Sequence, residues 1–289
     1  MWYSADTMVR PTRLGPSLLL AVATFAVAGN VAAQKPLPKP AEKAGTVALS
    51  ADLGRKLKSD DPGELQAALD EIRIAGRTAA YLAGDVAALL DRGVSKPLTE
   101  AALETLADLE VESVAQAVSP YAVHRDVKIR RLAVQTLVRC KGALAVKTLR
   151  QRLGDSDAMV RGTAASGLGA MKARDTLPEL FAALDHKVGE AAASIGQLCG
   201  PKECDEFATR LGRQPFEVMT GGFDQILFRP TTEVSDDAKI RVVGRLRELG
   251  TADANKFLRD VQKRLPKTAS ARVKQAIEQS ILATGGGGT

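Results

Sequence analysis

A block of about 31 residues recurs in register through the middle of the sequence, and six apolar columns keep their places from block to block. The columns are Leu98/Ile129/Val160, Ala102/Ala133/Ala164, Leu106/Leu137/Leu168, Leu109/Cys140/Met171, Val118/Leu149/Leu180 and Ala122/Leu153/Leu184. A fixed period of roughly 20–50 residues is typical of solenoids, because each unit is too small to bury its own apolar face. The sequence therefore predicts an elongated stack of small units.

Each block contains two apolar runs with helical spacing. Ile129, Ala133 and Leu137 recur every four residues and form one face of a helix, which Gly142 ends. Leu149 belongs to the second run, and two helices of roughly 12 residues account for the period. We expect an all-α fold, a right-handed α-solenoid of about six helix pairs whose second helices line a concave face.

Three segments carry a common motif. They are Asp126-Val-Lys-Ile129-Arg130, Asp157-Ala-Met-Val160-Arg161 and Ser235-Asp-Asp-Ala-Lys-Ile240-Arg241. Together with the sequence around them, these segments resemble HEAT repeats of the short kind first described in phycobilin lyases. The resemblance covers residues 60–212 and 235–284. The resemblance implies that the aspartate after the turn and the arginine of the following helix pair between successive repeats. The matching residues are Asp126, Asp157, Arg130, Arg161 and Arg241. The functional alternative is a row of arginines that binds anions.

The first 33 residues have the pattern of an export signal. Arg10 and Arg13 precede an apolar run over 18–28, and Val31-Ala32-Ala33 resembles a signal-peptidase site. The run is about 11 residues long, shorter than the roughly 20 that span a bilayer. We expect cleavage after Ala33, Gram-negative-type export to the periplasm or beyond, and no stable membrane insertion afterwards. An uncleaved anchor is the alternative.

The remainder divides into three parts. Residues 34–58 form a proline-rich tether and leading segment, 59–283 a HEAT-like solenoid with an atypical segment at 213–234, and 284–289 a disordered glycine-rich tail. The net charge of +6 is mild, and both signs alternate along the chain. Because nucleic-acid readers cluster basic and stacking residues, we expect no nucleic-acid partner.

The cysteines and histidines suggest structural roles. Cys199 and Cys204 flank a Gly-Pro turn, so they form a structural disulfide in an oxidising compartment or remain two free thiols. Cys140 occupies a core column and is expected to be a buried thiol. His124 and His186 lie 62 residues apart, two repeats along the stack, so they cannot share a metal ion. We expect no catalytic residues, no metal site and no cofactor.

The segment 214–232 has no counterpart elsewhere in the chain and holds three of the seven phenylalanines, Phe216, Phe223 and Phe228. One interpretation is an apolar groove that binds a partner protein, and the other is an altered helix that seals the solenoid interior. Together these features predict a non-enzymatic exported scaffold or adaptor that binds a protein partner through the solenoid surface. The alternatives are a HEAT-type lyase resembling phycobilin lyases and a structural component of an envelope complex.

Overall fold

The computed structural model describes residues 52–285, and α-helices dominate that range. The α-helices are α1 Pro62–Ala75, α2 Ala83–Asp91, α3 Lys96–Leu109, α4 Ala115–Val118, α5 Val127–Cys140, α6 Gly142–Arg152, α7 Ala158–Ala170, α8 Leu177–Asp185, α9 Glu190–Leu198, α10 Pro201–Ala208, α11 Phe216–Phe228, α12 Asp236–Leu249, α13 Ala252–Arg264 and α14 Ala271–Gly285. Short 3-10 helices cover Gly76–Leu82, Glu112–Val114, Ser119–Val123 and Arg174–Thr176. Within 52–285, β structure is limited to a single bridge between Leu211 and Gln214.

The helices form two layers. In the first layer α1, α3, α5, α7, α9 and α11 contact one another in chain order. In the second layer α2 contacts α4, α4 contacts α6, α10 contacts α12, and α12 contacts α14. The all-α solenoid predicted from the repeat period is therefore the fold, with seven consecutive helix pairs between α1 and α14.

Side-chain caps fix where many of these helices begin. Asp126 and Asp157 accept backbone N–H groups at the starts of α5 and α7, as Ser235 and Thr251 do for α12 and α13. Each cap satisfies a donor that the first helical turn leaves without a partner. Gly250 ends α12 with a φ of 64°, a left-handed conformation that glycine adopts without strain. The local sequence therefore sets the short turns that make stacking possible.

The predicted columns form the core. Every residue of the six columns is buried except Met171, which is half-buried. Cys140 lies among them as a buried free thiol, and desolvation raises its pKa to about 11. At neutral pH it is a protonated, unreactive core side chain.

The end of the stack differs from the expected order. The segment predicted to be atypical, 213–234, contains α11, an ordinary first-layer helix that packs extensively on α9. The motif at 235–241 was expected to open another first helix, yet it opens α12, which contacts α10 and α14 in the second layer. The HEAT-like motif therefore determines how a helix starts. The layer of the helix depends on how many helices precede it, because consecutive helices alternate between the two layers.

Glycines allow α9 and α11 to pack so closely. A Cβ added to Gly196 would lie 2.3 Å from the carbonyl oxygen of Gly222. A Cβ added to Gly222 would lie 2.6 Å from the carbonyl oxygen of Ala192 on α9. The absence of side chains at both positions therefore sets the distance between these helices.

The folded body extends beyond both predicted limits. Residues 52–56 are helical, and Leu53 and Leu57 belong to the buried core, ahead of the expected start at 59. At the other end α14 continues to Gly285, into the stretch predicted to be a tail. The predicted signal peptide, the proline-rich part of the predicted tether and residues 286–289 lie outside the described residues.

Candidate interaction surface

The structure places the three phenylalanines of α11 in two environments. Phe223 is fully buried and packs edge-to-face against Phe207, with ring centroids 5.1 Å apart. Phe216 and Phe228 are half-buried and contact residues of α13. Phe223 therefore belongs to the core, and its side chain is not accessible to a partner in this conformation. Phe216 and Phe228 lie at opposite ends of the α11–α13 contact.

A groove of about 520 Å³ opens where α11 meets α13. Its apolar floor consists of Phe216 and Phe257, whose rings meet edge-to-face with centroids 6.1 Å apart. The contact between α11 and α13 is much smaller than the one between α9 and α11. Helix separation follows the size of the side chains at the contact, so aromatic rings hold α11 and α13 apart where glycines bring α9 and α11 together. We call this feature the α11–α13 groove.

Both signs of charge line the groove. The polar lining residues are Glu217, Thr220, Asp253, Lys256, Arg259, Asp260 and Lys263. Arg259 donates to the Asn255 side chain, and Asp260 pairs with Arg264 at 3.3 Å. Within residues 52–285, Glu217, Lys256 and Lys263 take part in no ion pair. Their charges are therefore available to a molecule that enters the groove.

Arg264 joins α13 to α11 outside the residues that line the groove. Its guanidinium bonds the Asp224 carboxylate of α11, with an Nη1–Oδ2 distance of 3.2 Å, and lies 4.9 Å from the centroid of the Phe228 ring. The hydrogen bond to Asp224 is the main reason that the pKa of Arg264 is raised. Phe228 is thus covered by a cation, whereas Phe216 lines the groove.

The arginines of the HEAT-like motif stabilise turns. Nη1 of Arg130 donates to the carbonyl of His124 at 3.0 Å, and Nη1 of Arg161 donates to that of Asp155 at 2.8 Å. Arg130 also contacts both carboxylate oxygens of Asp155, through Nε at 3.1 Å and Nη2 at 3.0 Å. The partner of Arg130 is thus Asp155 and not one of the motif aspartates, which is a correction to the pairing that the resemblance implied.

The motif aspartates pair across repeats with other cations. These pairs are Lys96–Asp126 and Arg131–Asp157. The motif arginine of α12, Arg241, pairs with Asp205. The hydrogen bond from Arg131 lowers the pKa of Asp157 to about 2, and that from Lys96 lowers the pKa of Asp126. Each aspartate therefore caps its own helix and also holds the preceding repeat. The motif arginines are engaged with carboxylates or carbonyls, which argues against an anion-binding row.

Cys199 and Cys204 lie close together at the junction of α9 and α10. Both are fully buried, and their Cα atoms are 5.3 Å apart, within the range that a disulfide bridges. Nη1 of Arg229, just after α11, donates to the carbonyls of Cys199 at 2.8 Å and Gly196 at 3.1 Å. The cysteine turn is thus tied to the helix that forms one wall of the groove.

The histidines occupy separate turns. His124 precedes α5, where its Nδ1 accepts the Asp126 backbone N–H at 3.0 Å, and His186 follows α8. Across residues 52–285, no cluster of three or more His, Cys, Asp or Glu side chains has the arrangement of a metal site. No helix in that range combines the length and the apolar character needed to span a bilayer.

Comparison with known families identifies the repeats. Residues 116–196 match the profile of HEAT repeats. The chain contains HEAT repeats. The match covers α5 to α8 completely and leaves α11 and α13 outside it. The α11–α13 groove of this HEAT-repeat protein therefore lies beyond the residues that the family profile describes.

Several solved structures are similar to this HEAT-repeat protein. An engineered protein from a structural genomics consortium shares 16% identity at a TM-score of 0.47, over 86% of this chain and 70% of that one. The complex of CpcE and CpcF of phycocyanin lyase from a Nostoc species is 16% identical at a TM-score of 0.44, over 89% of this chain and 100% of that one. Human deoxyhypusine hydroxylase in complex with glycerol is 15% identical at a TM-score of 0.38, over 86% of this chain and 99% of that one. No curated protein matches the sequence. These similarities assign no activity to this chain.

Sequence reasoning found Phe216 but missed Phe257 and Arg264. These residues lie 41 and 48 positions after Phe216, further than one repeat, because α11 and α13 are separated by all of α12. A usable signal was the spacing of Phe257, Asp260 and Arg264, which share one face of a helix at intervals of three and four residues. Assigning that face to α11 requires counting α11 as a helix of the stack.

Proposed function

We propose that this HEAT-repeat protein is an exported, non-enzymatic scaffold or adaptor that binds a protein partner in the α11–α13 groove. The observation that carries the proposal is the aromatic floor of Phe216 and Phe257 between α11 and α13, whose mutual contact is much smaller than that of α9 with α11. Repeat solenoids characteristically bind partners on such extended surfaces.

The chemistry of the groove favours a protein segment as its occupant. Aromatic side chains at the centre of a contact, surrounded by polar residues, are typical of protein interfaces. An apolar side chain of the partner would rest on Phe216 and Phe257. Charged residues on either side of it would meet Glu217, Lys256 and Lys263, whose charges are otherwise unpaired.

We also propose that the mature chain works in the periplasm or outside the cell, after cleavage behind Ala33. The export pattern of the N-terminus supports this proposal, and the approach of Cys199 to Cys204 suits an oxidising compartment. There the two cysteines would form a disulfide. Mass spectrometry of the protein from its native host tests both points, through an N-terminus at Gln34 and a peptide pair that separates only on reduction.

Site-specific photocrosslinking tests the binding site. A photoreactive phenylalanine analogue at Thr220, inside the groove, should capture a defined partner in the native host, and the same analogue at the exposed Gln279 on α14 should not. The purified partner should then bind the wild type and lose most of its affinity for Phe216→Ser. Tyr81→Ser is the matched control, because Tyr81 is an exposed aromatic residue between α1 and α2, away from the groove.

Three results would contradict the proposal. Equal affinity of the partner for wild type and Phe216→Ser, with Tyr81→Ser weakened, would place the interface elsewhere. Crosslinks confined to large envelope assemblies that resist separation would favour the structural alternative. Stoichiometric uptake of an added bilin, followed by its transfer to an acceptor protein, would favour a lyase.

A further inference from the structure

A second cavity, of about 340 Å³, lies at one edge of the stack. Its lining residues lie at and just after the end of α11, on α12, between α13 and α14, and on α14. None of them lines the α11–α13 groove, so the two cavities are separate. Leu227, Leu265 and Val273 supply apolar walls, and Thr268 and Ser270 supply hydroxyl groups. Its volume is at the lower end of the range, roughly 300–1,000 Å³, that small-molecule sites occupy.

Lys239 of α12 is the unusual residue of this cavity. Only 5% of its surface is exposed, although lysine is rarely buried without an ion-pair partner. Its ammonium donates to the Arg229 carbonyl, one acceptor for three N–H groups. Asp236 lies one turn earlier on α12, but its Oδ2 accepts the Ser270 hydroxyl and Lys239 does not bond it. Burial is the main reason that the pKa of Lys239 is lowered.

The other cation of the cavity, Arg229, is already engaged. Its guanidinium donates to the Gly196 and Cys199 carbonyls and, through Nε, to Glu233 at 3.1 Å. Lys239 is therefore the cation with unused donors that borders the cavity. A buried ammonium with one acceptor is under-solvated, and a ligand that brings a negative charge and two acceptor oxygens would supply what is missing.

We propose that this cavity binds an apolar monocarboxylate, with Lys239 holding the carboxylate and the apolar walls covering its tail. The volume suits a ligand of a few carbon atoms and excludes a long lipid. The same chemistry is offered by a free short-chain acid and by the carboxyl terminus of a peptide with an apolar last residue. The proposal does not depend on the α11–α13 groove.

Calorimetric titration of the purified chain with matched probes tests the proposal. Butyrate represents a free acid and N-acetyl-leucine a peptide carboxyl terminus, and butyramide and N-acetyl-leucinamide are their uncharged counterparts. At least one acid should bind saturably, and its amide at least about tenfold more weakly, as expected for the loss of a charge-assisted hydrogen bond. Whichever acid binds identifies the source.

Two further measurements assign the binding to Lys239. Lys239→Met keeps the apolar stem and removes the cation, so it should weaken the acid at least about tenfold. Lys147→Met, at an exposed lysine of α6 that lines neither cavity, should leave the affinity unchanged. In the unaltered protein, the ligand should shift the NMR signal of the Lys239 side chain, which removes any dependence on how well the variant folds. Equal binding of acid and amide, unchanged affinity in Lys239→Met, or no binding of either acid would overturn the proposal.

Discussion

The adjacent glycines of α11 allow a sharp test of how the stack packs. Gly221 is half-buried and its nearest foreign atom would lie 3.6 Å from an added Cβ, whereas Gly222 is buried against α9 and α10. One alanine substitution at each position changes the chain by the same atoms. The two variants should move the free energy of unfolding in opposite directions.

The magnitudes follow from the contacts. Within a helix, alanine in place of glycine stabilises by about 1 kcal/mol, and Gly221→Ala should gain this because only Ala193 is near. At Gly222 the new Cβ would meet Cζ of Phe207 at 2.3 Å and the Ala192 carbonyl oxygen at 2.6 Å. Overpacking costs about 1–3 kcal/mol, and two contacts this short, one of them with a helix carbonyl that cannot rotate away, place the cost in the upper part of that range, at about 2–3 kcal/mol. After the gain of about 1 kcal/mol from alanine in a helix, Gly222→Ala should lose a net of about 1–2 kcal/mol. The variants should differ by about 2–3 kcal/mol.

Urea unfolding followed by circular dichroism measures this difference, which corresponds to about 4–12 °C in melting temperature. Hydrogen exchange should show the loss in Gly222→Ala concentrated in α9 and α11. Trimming the neighbour in the double variant Gly222→Ala, Phe207→Leu should recover only part of it, because the Ala192 carbonyl remains. If Gly222→Ala is as stable as Gly221→Ala, the close approach of α9 and α11 does not limit packing and the reasoning fails.

Other predictions concern the ion pairs and the cysteines. Asp155→Ala should destabilise by about 1.5–3 kcal/mol because it removes the charge-assisted hydrogen bonds between a buried carboxylate and the half-buried Arg130, whereas Asp237→Ala, at an exposed pair, should cost at most about 1 kcal/mol in the same denaturation assay. Cys204→Ala should lower the free energy of unfolding by about 2 kcal/mol, and a reductant should shift the melting temperature of the wild type but not of the variant. The pKa of Asp157 is lowered to about 2 from 3.8, so its contribution is present above pH 4 and is lost as the pH falls towards 2. Acid titration of Asp157→Asn should therefore show a smaller loss of stability over that interval than the wild type.

Much of the fold could be predicted from the sequence because the same apolar positions recur in each repeat and are buried in the same way. Leu106, Leu137 and Leu168 are all fully buried, as a shared column requires. The rule stops being visible at α11, which lacks the aspartate and arginine of the motif. Its place in the stack is encoded by Gly222 against Gly196, a relation between two residues that carry no side chain and leave no hydrophobic pattern.

The candidate site was less predictable for the same reason. Phe216, Phe223 and Phe228 were grouped by composition, but their environments depend on which face of α11 meets the core. Phe223 faces α10, while Phe216 contacts Phe257 on a helix whose layer could not be assigned once α11 was left out of the count. Pairwise contacts between non-adjacent helices are long-range facts that a single sequence does not display.

The last two helix pairs are in much closer contact on one side of the stack than on the other. On the second-layer side, α12 and α14 pack extensively, while α11 and α13 share a much smaller contact that includes the Phe216–Phe257 pair. The junction between the last two helix pairs is therefore closely packed on the α12–α14 side and open on the α11–α13 side. We therefore expect a bulkier occupant of the α11–α13 groove to move α13 away from α11 while the α12–α14 contact holds, so that the size of the occupant would set the angle of the last helix pair.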